Sequence, residues 1–208
     1  VLDQISLTIS PRSRIGVIAP NGTGKSTLLR LVARLDRPDS GAITRLPPSA
    51  TVGYLPQEQE RVADETLHAF LQRRTGVAAA TTAFEATTKA LAAGEPGADD
   101  AYANALEAYL ALGAADFDAR ASAIVERVGL PAALLDLTMP AMSGGQAARA
   151  SLAAILLSRY DVFLLDEPTN DLDFAGLALL EEFLRDLQGG VVIVSHDRAF
   201  LDRTITSV

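Results

Sequence analysis

The sequence has no cysteine, and it holds only two lysines, Lys25 and Lys89, and two histidines, His68 and His196. The missing cysteine excludes disulfides and thiolate metal sites, which fits a reducing compartment. No stretch approaches the roughly 18 apolar residues of a membrane span. The longest candidates, Ser151–Leu157 and Val162–Leu165, are far too short. Positive charge is also scarce. The net charge is −8, which counts against the chain being a nucleic-acid grip on its own. Arginine supplies nearly all the cations, an ordinary consequence of composition, so Lys25 stands out by its place in a glycine-rich loop.

What is present is ordinary for a soluble globular protein: 49 % apolar and 21 % charged residues over 208 positions, enough for one or two substantial cores. The chain begins at Val1 without a methionine and ends in Thr-Ile-Thr-Ser-Val, which reads as another strand. We therefore expect a piece of a longer protein.

Residues 1–55 read as short strands around one helix. Leu2–Ile9 alternates apolar and polar residues, and Arg14–Ile18 is a brief apolar run. A helix is predicted over Lys25–Leu35, ended by Arg37-Pro38-Asp39-Ser40-Gly41, with strands near Ala42–Arg45 and Thr51–Leu55. Residues 61–142 are alanine-rich and read as helices near Glu65–Arg74, Ala78–Ala93, Ala98–Leu112 and Phe117–Gly129. Eleven acidic and six basic residues give this stretch a balance of −5, read as a solvated helical face. Alternating elements return with a helix over Gly144–Ser158, a buried strand Asp161–Leu165, a helix Leu177–Leu187 and an apolar strand Val191–Val194. Strands alternating with helices imply an α/β fold with a mostly parallel sheet, whose ligands bind beyond the strands' carboxyl ends.

Three motifs carry chemistry. In Gly16-Val17-Ile18-Ala19-Pro20-Asn21-Gly22-Thr23-Gly24-Lys25-Ser26-Thr27, a strand runs through a glycine-rich loop into a helix. Glycines let backbone N–H groups converge on an anion, and a helix N-terminus adds partial positive charge. Lys25 supplies a full charge for the β- and γ-phosphates, and the Ser26 hydroxyl can ligate magnesium. The strict phosphate-loop pattern asks for glycine where this chain has Ala19. Phe163-Leu164-Leu165-Asp166-Glu167-Pro168 is an apolar strand ending in two carboxylates. Beside a phosphate loop, Asp166 reads as the metal-holding acid and Glu167 as the acid that orients water. Read alone it is also an ordinary strand-to-turn boundary. Met142-Ser143-Gly144-Gly145-Gln146 opens a helix, and an anion site and a plain helix cap are equally good readings of it.

Taken together these residues resemble the ATP-binding cassette (ABC) family from end to end. "APNGTGKST" resembles the Walker A loop, Gln57 in "VGYLPQE" the Q-loop glutamine, and "MSGGQ" the signature, with Met142 where leucine is usual. "VFLLDEP" resembles Walker B, "NDLD" (Asn170–Asp173) the D-loop, and "IVSHD" the switch histidine, His196. "LLDEPTNDLD" and "VSHDRAFLD" resemble the F subfamily, soluble twin-cassette ATPases associated with ribosomes, although Asp171 stands where that subfamily usually has histidine. The 86 residues from Gln57 to Ser143 resemble the longer helical region, with an arm, of such proteins' first cassette.

The resemblance implies an ABC-type P-loop NTPase with an N-terminal antiparallel β part and an inserted helical subdomain. Residues 1–60 and 143–208 would form the nucleotide-binding core, and 61–142 the helical subdomain with its arm. ATP would lie on Asn21, Gly22, Thr23, Gly24, Lys25, Ser26, Thr27 and Gln57. Mg²⁺ would be held by Ser26, Gln57 and Asp166. Lys25, Glu167 and His196 would act in catalysis. Ser143, Gly144, Gly145 and Gln146 would serve the nucleotide of a partner cassette, with Asp173 in the D-loop between them. That partner would be a second cassette of the same full-length chain or a homodimer mate. The family's adenine-stacking aromatic normally precedes the first strand here, and Tyr54 reads as core packing. His68 reads as a helix-surface residue.

The expected function is Mg-dependent ATP binding and hydrolysis in the cytoplasm, within a ribosome-associated or antibiotic-resistance ATPase, with the ribosome met through other parts of the protein and no membrane insertion. The alternatives are the ATPase subunit of a membrane transporter, and an ATP-gated binding module that hydrolysis only resets.

Overall fold

The computed structural model describes residues 2–20, 22–56 and 62–207. They fall into two compact units, Val1–Glu60 with Tyr160–Val208, and Arg61–Arg159. The strands are β1 (Arg14–Val17), β2 (Val52–Leu55), β3 (Val162–Asp166) and β4 (Gly190–Val194). The α-helices are α1 (Lys25–Val32), α2 (Leu67–Arg74), α3 (Val77–Ala92), α4 (Ala98–Ala111), α5 (Phe117–Arg127), α6 (Gly144–Leu157), α7 (Phe174–Asp186) and α8 (Arg198–Thr204).

In the first unit the strands form one parallel sheet in the order β1-β4-β3-β2. The central pair are the two uninterrupted apolar runs, because a strand covered on both faces has no polar side to show. Phe163, Leu164, Leu165 and Val191–Val194 are all buried. Helix α1 packs on β3 and β4, with Leu29 set against Leu164, Val192 and Val194. Of the predicted terminal strand, the described residues show an isolated bridge beside β1, where Gly16 N–H donates to Ser207 O at 2.9 Å. At the opposite end of β1 the buried Arg14 donates to the carbonyls of Leu184 (3.0 Å), Leu187 and Gly189 (2.8 Å). It thereby satisfies carbonyls that the end of α7 leaves open. Burial, and then the nearby Arg12 charge, lower the pKa of Arg14.

The expected antiparallel β part is absent among the described residues: Leu2–Ile9 and Ala42–Arg45 are not in strands, and every ladder in the sheet is parallel. Two local causes stand out. Gln4 takes a left-handed φ of 50°, which breaks the first segment's extended run. Pro47 and Pro48, lacking N–H donors, follow the second. The alternation in the first segment still works through side chains, since Leu7 and Ile9 pack against the Leu29 cluster.

The second unit is helical. Helices α3 and α4 form a hairpin, closed by Phe84 stacked on Tyr109 (4.8 Å between ring centres) and tilted against Tyr102 (5.5 Å). Arg120 on α5 donates to Gly113 O (2.7 Å) and Leu157 O (3.1 Å), joining the ends of α4 and α6. His68 meets Asp118 at 2.8 Å. The boundary expected at 142/143 falls instead at 159/160. Helix α6 belongs with α5 and α2, against which its small Ala150, Ala153 and Ala154 side chains allow close packing. The sequence reading also missed α8, which Asp197 caps by accepting the Phe200 N–H at 2.9 Å.

Candidate functional site

The phosphate loop leaves β1 at its carboxyl end and closes on the first turn of α1. Gly22 (φ 77°) and Gly24 (φ 94°) both occupy the left-handed region that glycine enters without steric cost. Thr23 Oγ1 donates to Pro20 O at 2.7 Å. The Lys25 amine donates to Ala19 O at 2.7 Å and Pro20 O at 3.1 Å. Position 19 thus contributes a carbonyl, which any residue supplies, and its φ is not left-handed. This is why alanine is tolerated where the strict pattern has glycine.

A cleft of about 840 Å³ opens over this loop within the first unit. Gly22, Gly24, Lys25, Ser26 and Thr27 line it together with Asp166, Glu167 and His196. Residues 36–40 and Leu2 form its rim. Sequence reasoning missed that rim, and no motif signalled it.

The two acids differ in how they are held. Asp166 ends β3 and is buried, with its Oδ2 3.3 Å from the Tyr54 hydroxyl on β2. Glu167, also buried, takes a left-handed φ of 50° and bonds its N–H to Val194 O at 2.8 Å. Such a backbone costs about 1–3 kcal/mol in a residue other than glycine and recurs at functional sites. Its Oε2 accepts the His196 N–H at 3.1 Å. The His196 Nε2 lies 3.1 Å from Oε1 but out of line, so this buried oxygen has no hydrogen-bond donor. His196 is steadied by its neighbours: Ser195 Oγ pairs with Thr169 Oγ1 at 3.2 Å and accepts the Asp197 N–H at 3.1 Å.

Asn21 and Gln57 fall outside the described residues. Asp173 is the N-cap of α7, accepting the Gly176 N–H at 2.8 Å, and Asp171 before it is left-handed (φ 60°). Ser143, Gly144, Gly145 and Gln146 belong to the second unit. There Ser143 and Gln146 form a reciprocal cap on α6, with Ser143 N–H to Gln146 Oε1 at 2.9 Å and Gln146 N–H to Ser143 Oγ at 3.3 Å. Gly144 and Gly145 are exposed, and a Cβ on either would meet nothing within 4 Å.

Among the described residues no group of three or more His, Cys, Asp or Glu could cage a metal. Magnesium keeps several waters and is held by one or two protein oxygens plus phosphate. The Ser26 hydroxyl and the Asp166 carboxylate on one cleft fit that role, and the orphaned Glu167 oxygen fits a metal-site water.

A family profile described as ABC transporter matches residues 2–170. The chain belongs to the ABC transporter family of ATPase domains. This cassette is 41 % identical over 222 residues to the tylosin resistance ATP-binding protein TlrC of Streptomyces fradiae, covering 100 % of the chain and 39 % of that protein. It is 36 % identical to the energy-dependent translational throttle protein EttA of Escherichia coli K12, over 97 % of the chain and 37 % of that protein. It is therefore an ABC-F-like cassette, spanning about two-fifths of the curated relatives it matches. Among solved structures, an ATP-binding subunit of an ABC transporter superposes with a TM-score of 0.72 at 20 % identity, over 99 % of this chain and 77 % of that one. That likeness shows the fold. No helix among the described residues is long and apolar enough to cross a membrane.

Proposed function

We propose that the cassette binds Mg·ATP in the Lys25 cleft and hydrolyses it when a second cassette closes over that cleft. The observation that carries this reading is the buried Glu167 oxygen that has no donor and belongs to the same cleft as the Lys25 loop. A buried acid oxygen left open beside a phosphate cradle is placed to take the proton side of an attacking water.

The residues divide the work. Lys25 exchanges its two loop carbonyls for phosphate oxygens. The loop N–H groups and the start of α1 hold the phosphate chain. Glu167 orients water, and His196, tied to Glu167 through its own N–H, holds that acid and reaches toward the transferred phosphoryl group. Ser26 and Asp166, with Gln57, would hold magnesium, which when bound neutralises charge on the β- and γ-phosphates. Ser143, Gly144 and Gly145 would act in trans, their hydroxyl and free helix-start N–H groups completing the charge stabilisation on the partner's nucleotide. Gln146 supports that role indirectly, by holding the α6 cap.

The names of the relatives, a translational throttle protein and a tylosin resistance protein, support a full-length protein that works on the translating ribosome in the cytoplasm. The α3–α4 hairpin is then the arm of the first cassette. One experiment tests the pairing: ATP turnover per site, measured across a wide range of concentrations of this chain. Turnover should be nearly absent in dilute monomer and return when two cassettes are joined by a linker, which raises their effective concentration. High, concentration-independent turnover in a sample shown to be monomeric would overturn it.

A further inference from the structure

We infer that Tyr54 is a positioning residue for the metal: its hydroxyl fixes the orientation of the Asp166 carboxylate. The inference rests on the proposed reading of Asp166 as the magnesium-holding acid.

The argument begins with the sheet. Tyr54 and Leu164 are partners in the β2–β3 register. Side chains two apart on a strand share a face, so Leu164, Asp166 and Tyr54 all stand on the same side of the sheet. That side is the one covered by α1, since Tyr54 packs against the cluster of Leu29, Leu164, Val192 and Val194. Tyr54 therefore has its ring held by packing and its polar end directed along the strands toward the cleft. The hydroxyl stops 3.3 Å from Asp166 Oδ2.

Asp166 needs such a partner. Its carboxylate is buried at 4 % exposure, and no other side chain among the described residues is bonded to it. The terminal torsion of an aspartate is broad and roughly twofold, so it does not fix the carboxyl plane by itself. Magnesium demands near-ideal octahedral geometry and tolerates misdirected ligands poorly. A donor on one oxygen sets the plane and leaves the second oxygen for the metal or its water. Outer partners of this kind act on affinity through the ligand they hold.

The test reads binding, not turnover. ATP affinity of the wild type and of Tyr54→Phe is measured by calorimetry with excess Mg²⁺ and again with a chelator, and Mg²⁺ is titrated into the ATP-loaded protein. Phenylalanine keeps the ring and removes only the hydroxyl. The metal-free affinity should stay within about twofold. The Mg²⁺ concentration at half-saturation should rise about three- to tenfold, the low end for an outer partner because 3.3 Å is long for an O–H···O bond. In an Asp166→Ala background the same substitution should add nothing to the Mg²⁺ requirement, since its effect on the metal runs through that carboxylate.

An unchanged Mg²⁺ requirement overturns the inference. So does an equal loss of metal-free and metal-dependent affinity, or a large fall in melting temperature, either of which makes the hydroxyl a fold element. A persisting effect of Tyr54→Phe in the Asp166→Ala background overturns it as well. Failure of the wild type to bind ATP, or an ATP affinity indifferent to Mg²⁺, would overturn the underlying reading of the site instead.

Discussion

Glu167→Gln separates what this side chain does for the fold from what it does for the chemistry. Glu167 is 6 % exposed, its Oε2 accepts the His196 N–H, and its Oε1 has no donor. A buried polar atom without a partner costs about 1–3 kcal/mol, and more when charged. Glutamine has nearly the same volume, keeps one oxygen for His196 N–H, and places an amide where the orphaned oxygen lies. That amide is 3.1 Å from His196 Nε2, an acceptor when the ring is neutral and has its proton on Nδ1. The contact is out of line, and one amide hydrogen stays unpaired, so the gain sits at the low end. The backbone strain at φ 50° is untouched, since both residues bear it equally. The expected outcome is a stability gain of about 1 kcal/mol, which for a chain of this size raises the melting temperature by about 2–4 °C. Turnover in paired cassettes should fall at least about a hundredfold, the usual size of a lost general base. ATP binding should persist. Thermal unfolding of the nucleotide-free protein and steady-state hydrolysis are the two assays. A variant that is less stable by about 1 kcal/mol would make Glu167 a structural acid. Unchanged turnover would remove it from the chemistry. Either result refutes the reasoning, because a group placed for function is expected to be a burden on the empty fold.

Lys25→Ala should lower ATP affinity at least tenfold, about 1.4 kcal/mol, with little change in melting temperature, since the amine bonds to carbonyls of its own loop; calorimetry checks both halves. Ser143→Arg in one of two linked cassettes should impair hydrolysis at the opposite site, read by site-resolved turnover. The same change removes the α6 cap, so about 1 kcal/mol of stability should go with it. Arg14→Met should cost about 2–4 kcal/mol in denaturant unfolding, because carbonyls near the end of α7 lose a charged donor. The ATP affinity of the folded variant should not change.

The elements that carry the site were legible because their sequences face a severe local demand. Val162–Asp166 and Gly190–Val194 are buried on both faces, so they read as unbroken apolar runs. The phosphate loop was legible because left-handed turns at Gly22 and Gly24 call for glycine. The first segment misled because alternation reports which side chains point inward, not whether the backbone pairs. Leu7 and Ile9 do pack inward, yet no ladder forms. The unit boundary misled for a related reason: α6 follows a glycine-rich turn that reads as the return to α/β structure, but its alanine face fits the helices before it. Tyr54 was read as core packing, and its ring is that. Its hydroxyl contact depends on the register of β2 against β3, a long-range fact that no local pattern encodes.

The two walls of the site are bonded differently. On the loop side Lys25 rests on Ala19 and Pro20, and Thr23 on Pro20. On the acid side two buried carboxylates line the cleft with one oxygen orphaned and, among the described residues, no cation bonded to either apart from a histidine out of line. A bare nucleotide would improve only the first side, by giving Lys25 charged acceptors in place of neutral ones. It would also bring its own negative charge toward Asp166 and Glu167, which repels. A bare metal would meet two acids, one of them already bonded through Oδ2 to Tyr54, and among the described residues no third to complete a cage. Neither component alone answers both walls. Metal and nucleotide together would, because a cation held by Ser26 and Asp166 would offset the charge of the phosphates near the carboxylates. A preference for the complex over its parts is therefore the expected outcome of how the residues are paired before anything binds.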